Sequence, residues 1–218
     1  MPSSGPCRAV IVANSPSRAR SLVGLVRVPG GTDSRRPRAA PAMIRVTRPT
    51  SDRAREGLFA TIAARHGQLD GTAFLDLYAG SGAVGLEALS RGAAPVVFVE
   101  SDPAAARVIR ANMTAVGLPG AELVTGQVAT VLRRGPGRLP GGGPAFGVVV
   151  ADPPYATGDE EVTAMLTALR GGWLAAGALV AVERATRSGP VAWPEGYAPD
   201  GSRRYGEATF WYGLAAGI

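Results

Sequence analysis

Two short runs in this 218-residue chain carry residue types that can do chemistry. The first is Asp76-Leu77-Tyr78-Ala79-Gly80-Ser81-Gly82, continued by Ala83-Val84-Gly85 and a helix-forming stretch to Arg91-Gly92. An apolar lead, an acid, a small-residue turn and a fresh helix describe a strand, a tight turn and a helix N-terminus. Glycines at 80 and 82 let backbone approach a ligand where a Cβ would clash. The helix start adds unpaired N–H groups and the positive end of the dipole. A nucleotide-like ligand suits such a turn, and Gly80-x-Gly82-x-x-Gly85 also matches the dinucleotide fingerprint. The second run is Asp152-Pro153-Pro154-Tyr155, directly after the apolar segment Phe146 to Ala151. An aryl amine is a poor nucleophile because its lone pair is delocalised into the ring. The Asp152 carboxylate and the Pro153 carbonyl can accept its N–H bonds and localise that pair, and two prolines hold the acceptors in place. Tyr155 offers a face on which a flipped-out base can stack.

A dehydrogenase has a use for the first run and none for the second. A methyltransferase using S-adenosylmethionine (SAM) on an exocyclic amine uses both. In that reading Asp76 meets the cationic amino group of the methionine end. Glu100, 24 residues further on, accepts both ribose hydroxyls. Gln127 serves the adenine edge. Tyr78, Ser81, Ser101 and Val128 flank these groups and complete the expected cofactor set, with no metal. Each assignment has a plainer alternative. Glu100 can be a solvated acid at a strand end, Gln127 a surface-loop residue, and Asp152 part of a structural turn beside an exposed Tyr155.

Such residues need a scaffold, and hydrophobic periodicity supplies one. Ala54, Leu58 and Ile62 mark an amphipathic helix closing near Gly67, capped from Thr50, Ser51 or Asp52. Strands are predicted over 73–78, 96–100, 121–125, 146–151 and 178–183. Between them fall helices over 84–91, 103–116, 128–133 and 160–169, with a Gly/Pro loop over 135–144. Runs 203–206 and 208–212 read as a closing antiparallel hairpin. Alternating strands and helices imply an α/β, Rossmann-like fold with a mostly parallel seven-stranded sheet covered on both faces. Ligands in such sheets sit at the carboxyl ends of the strands. Asp76 to Gly82, Glu100, Gln127 and Asp152 all fall there.

The charge is uneven. All 23 basic residues are arginine, and residues 1–65 hold 12 of them against three acids. That region carries a net +9 and the remainder −3, giving the overall +6. Arginine pairs bidentately with phosphate, so a basic arm on a mildly acidic domain points to a polyanionic partner, with genomic composition bias as the alternative. No apolar run reaches the 18 residues of a membrane span. The single Cys7 can form no intrachain disulfide, which fits a reducing, cytoplasmic compartment. Residues 1–47 form a basic, poorly patterned extension before a domain over 48–218. Arg8 to Val12 and Leu22 to Val28 are candidate short strands within it. Its Arg- and Ser-rich start also resembles a transit peptide, and a true start at Met43 is a third reading.

Arg48-Pro-Thr-x-Asp52-Arg-x-Arg55-Glu-x-Leu-Phe59, the run Asp76 to Gly92, Val99-Glu100 and Asp152-Pro-Pro-Tyr155 together resemble the bacterial RsmD-type family. The similarity runs from about Arg48 to Tyr212. It implies a class I SAM-dependent enzyme acting on the exocyclic N2 amine of one guanine in 16S rRNA. The substrate is the rRNA or a partly assembled 30S particle, and the product of the donor is S-adenosylhomocysteine. It carries over Asp76, Gly80, Gly82, Glu100 and Gln127 to the cofactor, and Asp152, Pro153, Pro154 and Tyr155 to catalysis and the base. Arg48, Arg53 and Arg55 are candidates for RNA contact, and a monomer is expected. Residues 1–47 depart from the family's usual opening, a short basic β-hairpin with a Gly-Arg-Arg/Lys-Leu-like element. The aspartate–proline–proline–tyrosine turn alone also admits a DNA adenine or cytosine amino-methyltransferase. A catalytically silent RNA-binding assembly factor is the alternative from outside the enzymes.

Overall fold

The computed structural model describes residues 9–11, 23–25, 52–138 and 145–216. Arg48 and most of the N-terminal extension lie outside the described residues. Within that extension β1 (Ala9–Ile11) and β2 (Val23–Leu25) pair antiparallel. They fall inside the two runs expected to be strands.

From Asp52 onward the chain alternates regularly. Helix α1 (Asp52–Arg65) leads to β3 (Phe74–Leu77), α2 (Ala83–Ser90), β4 (Val96–Glu100) and α3 (Pro103–Val116). Then come β5 (Ala121–Thr125), α4 (Val128–Arg133), β6 (Phe146–Ala151) and α5 (Asp159–Leu169). β7 (Leu174–Ala185), β8 (Tyr197–Tyr205) and β9 (Ala208–Ala215) complete the sheet. Its seven strands lie in the order β5-β4-β3-β6-β7-β9-β8, and β9 alone runs against the others. The order reverses at β3, which has β4 on one side and β6 on the other. That reversal opens the crevice in which such sheets bind ligands.

β3 and β4 are buried along their whole length, as expected of parallel strands covered on both faces. On one face Leu58, Phe59 and Ile62 of α1, Leu86 of α2 and Ile109 of α3 pack over Phe74, Phe98, Val150 and Ala181. On the other, Val131 of α4 and Val162, Leu166 and Leu169 of α5 cover Leu75, Val97, Val149 and Val180. Alternation along the strands then assigns Asp76, Glu100 and Glu183 to the α1–α3 face. Two contacts orient α1. Arg65, near its end, pairs with Asp200 and lies over the Tyr212 ring, 4.7 Å from the centroid. Gly57, near its start, packs so tightly on Tyr205 that a Cβ would overlap the ring. Tyr205 precedes the hairpin turn at the carboxyl end of β7, so α1 begins at the edge where the site lies.

Three strands are longer than the sequence suggests, and one of them, β9, runs on to Ala215, three residues past expectation. β7 starts at Leu174, four residues ahead of expectation, because Gly177 interrupts the apolar run without ending the strand. β8 starts at Tyr197 and runs through Pro199-Asp200-Gly201, which reads as a turn. The register shifts between Pro199 and Ser202, so these turn residues form a bulge on an edge strand, where proline is tolerated.

The third glycine of the turn has a packing role. A Cβ at Gly85 would run into the Phe98 ring, which is fully buried beneath α2. Alanine gains roughly 1 kcal/mol in helix propensity, whereas overpacking costs about 1–3 kcal/mol. We therefore expect Gly85→Ala to lower the urea midpoint and Phe98→Leu in the same chain to restore part of it. An unchanged midpoint in the single variant would show that the ring swings aside freely.

Candidate active site

The site begins with a strained residue. Tyr78 leaves β3 with φ 60°, a conformation that bulky side chains rarely adopt. Its amide neighbour Ala79 donates to the Val99 carbonyl at 3.1 Å, and Gly82 donates to the Ala79 carbonyl at 2.7 Å, closing the turn. Gly80 (φ 56°) and Gly82 (φ 78°) both need the left-handed freedom of glycine. A Cβ at Gly80 would approach only the Tyr78 carbonyl, at 3.9 Å, so the space beside it is open. At Gly82 a Cβ would press on Ile109 and Phe98 instead. The Tyr78 side chain packs toward α4 and α5, and burial, helped by Glu161, raises its phenol.

Glu100 and Asp76 bracket this turn. The two Glu100 carboxylate oxygens accept from the Gly80 N–H and the Asp102 N–H, each at 2.7 Å. Asp102 in turn caps α3 by accepting from Ala104 N–H at 2.9 Å. Asp76 is buried and accepts from the Gly85 N–H at 2.9 Å. Burial pushes its carboxyl up to about 7, against the opposing Gly85 bond and with a smaller push from Glu100. Gln127 is exposed at the start of α4, and Gly126 N–H donates to the Glu100 carbonyl at 2.9 Å. That bond brings the end of β5 beside Glu100. Val128 is buried, while Ser81 and Ser101 are exposed at the rim.

The second run lies one strand away. Asp152 follows β6, and its N–H donates to the Leu77 carbonyl at 3.3 Å. Its carboxyl is held well above the ordinary carboxylate range by burial first, then by Glu183 and then by Asp76. Pro153 is buried, Pro154 exposed, and Tyr155 is 54% exposed. The structure thus brings Asp76, Gly80, Glu100, Gln127 and Asp152 to one edge. Arg53 is exposed at the start of α1. Arg55, the other arginine of α1 named for RNA contact, is instead 7% exposed and bonds Asp52 at 2.9 Å. It lies on the buried side of α1, one position past Ala54 on the stripe that faces the sheet.

Three residues of the site escape a reading by motif. Asn112 of α3, 3% exposed, donates to the Ser81 carbonyl at 3.0 Å and ties the glycine turn to the helix. Arg184 donates to the Thr157 carbonyl at 2.8 Å and to Asp159 Oδ1 at 2.7 Å, clamping the loop after Tyr155 to β7. Glu183, 5% exposed, is the carboxylate next to Asp152. The available signal was polar residues at apolar positions: Asn112 continues the buried stripe of Ala106 and Ile109, and Glu183-Arg184 closes an apolar strand. Among the described residues, no group of three or more His, Cys, Asp or Glu is placed to hold a metal ion, and no helix is long and apolar enough to cross a membrane.

The raised Asp76 carboxyl has a consequence for stability. The folded state binds the proton more tightly than the unfolded chain, so this contribution is complete below about 4 and is lost as pH rises through about 7. In ligand-free protein, denaturant titrations from pH 4 to 8 should show stability declining across that window. Asp76→Asn should flatten the decline, and an equally steep decline in that variant would refute the assignment.

Known proteins resemble this chain in sequence and fold. A protein-family profile described as conserved hypothetical protein 95 matches residues 26–213. Ribosomal RNA small subunit methyltransferase D of Escherichia coli is 35% identical over 150 residues, 67% of this chain and 70% of that protein. The solved structure of a putative methyltransferase from Escherichia coli superposes with a TM-score of 0.67 at 30% identity, covering 78% of this chain and 88% of that one. An RNA methyltransferase from Salinibacter ruber, solved with S-adenosylhomocysteine, shares the fold at a TM-score of 0.53 and 17% identity, over 77% of this chain and 94% of that one.

Proposed function

The chain belongs to the conserved hypothetical protein 95 family of RsmD-type methyltransferases, and from that premise we propose that it methylates the exocyclic N2 amine of a guanine in 16S rRNA. The coarser statement is plain: it is a SAM-dependent rRNA methyltransferase with a class I fold. The observation that supports the finer reading is the convergence of the glycine turn and the Asp152 turn on one edge of the sheet. In this reading the substrate is the rRNA or a 30S assembly particle, met by a cytoplasmic monomer.

The residues present fit the cofactor. Asp76 is a buried carboxyl that accepts from the Gly85 N–H, and a cationic amino group beside it would stabilise its ionised form. Glu100 is already fixed by two N–H donors, so its remaining lone pairs point in set directions for ribose hydroxyls. Open space at Gly80 leaves room for the chain between them. Gln127, with Ser101 and Val128 beside it, borders the base. When bound, SAM supplies a methyl carbon whose bond to sulfur breaks as the bond to nitrogen forms, the electron pair staying with sulfur.

Everything else falls to the protein. Asp152 and the Pro153 carbonyl accept the N–H bonds of the amine and turn its lone pair toward the methyl group. The surplus N2 proton passes to Asp152, whose raised carboxyl holds a proton more readily than an ordinary aspartate. Pro154 fixes the turn, and the exposed Tyr155 face stacks the base. Arg53, at the start of α1, meets phosphate at the same edge, and Arg48 belongs to the segment leading into it.

Tritiated methyl transfer from SAM to unmodified 30S particles and to naked 16S rRNA, with nucleoside digestion, tests this directly. Labelled 2-methylguanosine is the expected product, while methylated adenine or cytosine, or label only in DNA, would overturn it. Asp152→Ala should abolish transfer and leave S-adenosylhomocysteine affinity within a few-fold. Equal loss of both would count against its catalytic role. Glu100→Ala should weaken cofactor binding by about 1–3 kcal/mol, the worth of charged hydrogen bonds, measured by calorimetry. Unchanged affinity would remove Glu100 from the ribose site.

A further inference from the structure

Glu183 is a buried carboxylate that the reaction as described does not use. Its position follows from the sheet. Ala151 pairs with Val182 across β6 and β7, so Asp152 and Glu183, each one residue on, stand side by side at the carboxyl edge. Leu179 and Ala181 of β7 face α1, as do Val148 and Val150 of β6, so the alternation sends Glu183 to the face that Asp152 continues. Neighbouring strands lie about 4.8 Å apart, which puts two such carboxylates within reach of one heterocycle edge.

The strand order divides the acidic residues. Along β4-β3-β6-β7 they read Glu100, Asp76, Asp152, Glu183. The first two bracket the glycine turn and serve the cofactor end. Glu183 lies beyond Asp152, on the side away from that turn, and is 5% exposed. Like charges on neighbouring strands repel and are costly to bury. A ligand presenting two adjacent N–H donors relieves both at once. Guanine does so with N1–H beside its N2 amine. Adenine and cytosine place a lone pair beside their amines, which would face a carboxylate and be repelled.

We propose that Glu183 is a specificity-determining residue of this site: its carboxylate accepts the N1–H of the target guanine while Asp152 accepts from N2. The pair reads adjacent donors, and this inference rests on the guanine-N2 reading above. No bond to N1 is made or broken, and the N1 proton stays on the base. Arg184, the next residue, holds the loop that carries Tyr155 against β7, so the strand that reads the base also steadies the loop on which it stacks.

The test uses the full chain and RNA carrying either guanosine or 2-aminopurine at the position mapped with the unaltered protein. 2-Aminopurine keeps the 2-amine and replaces N1–H with a lone pair. The unaltered protein should prefer guanosine on the order of 10-fold or more in kcat/KM, since a site built for a donor rejects its absence. Glu183→Gln, which can donate to that lone pair, should lose guanosine activity and narrow the preference at least several-fold. Its S-adenosylhomocysteine affinity should stay within about 2-fold, because Glu183 lies away from the cofactor end. Equal use of both bases by the unaltered protein, or an unchanged preference in Glu183→Gln, would overturn the inference while leaving guanine methylation intact. If Glu183→Gln does not fold, the preference of the unaltered protein still decides. Absence of guanine label altogether would remove the functional reading, and this inference with it.

Discussion

The structure depends on carboxylates delivered by strand ends into a place where water is scarce. Asp76, Glu100 and Glu183 are all buried, and Asp152 is partly so. Each is there because an apolar strand buried on both faces carries it to the edge. The interior tolerates this where backbone N–H groups answer the charge, as Gly80 and Asp102 do for Glu100 and Gly85 does for Asp76. Removing such donors leaves an unmatched buried group, which costs more than the bond itself is worth. The glycine turn is therefore bound to the acids as much as they are bound to it. Its three glycines divide the labour: Gly80 leaves space, Gly82 sets the turn, and Gly85 admits the Phe98 ring.

The scaffold holds these groups from outside the motifs. Asn112 reaches from α3 to the Ser81 carbonyl, and Arg184 reaches from β7 to the loop after Tyr155. Both are buried side chains on regular elements, which position a site more accurately than loops can. Helix α1 closes the same face, with Phe59 under the Arg91 guanidinium at 4.7 Å and Arg91 in turn bonded to Glu87 of α2. The segment that resembles an RNA-contact element in sequence is thus mechanically joined to the helix that starts at the glycine turn.

Much of this was legible in the sequence because the relevant signals are local. Apolar-rich runs of four to six residues located β3, β4 and β6 within a residue of their ends, and Pro103 and Gly117 marked the limits of α3. The mostly parallel sheet followed from the alternation of strands and helices, and the antiparallel end from the two closing strand runs, while the strand order needed the structure. What stayed hidden depends on distant partners. The early starts of β7 and β8 are set by pairing with β6 and β9, which overrides Gly177 and Pro199. The burial of Arg55, named in the sequence for RNA contact, is decided by what covers it and has no local signal. Glu183 carries no motif at all, and it becomes notable only once β6 and β7 are aligned.

The bulged strand β8 has a further effect. It is the outer strand on its side of the sheet, and an outer strand presents unpaired backbone groups that can recruit another chain. Pro199 lacks an N–H, the bulge that follows breaks the repeat, and Arg203 and Arg204 place two like charges along the remainder. A second copy approaching that edge would meet an irregular ladder and its own positive charge. Pro199 and the bulge, which obscured the start of the strand in the sequence, thus join the two arginines in blunting edge-to-edge aggregation.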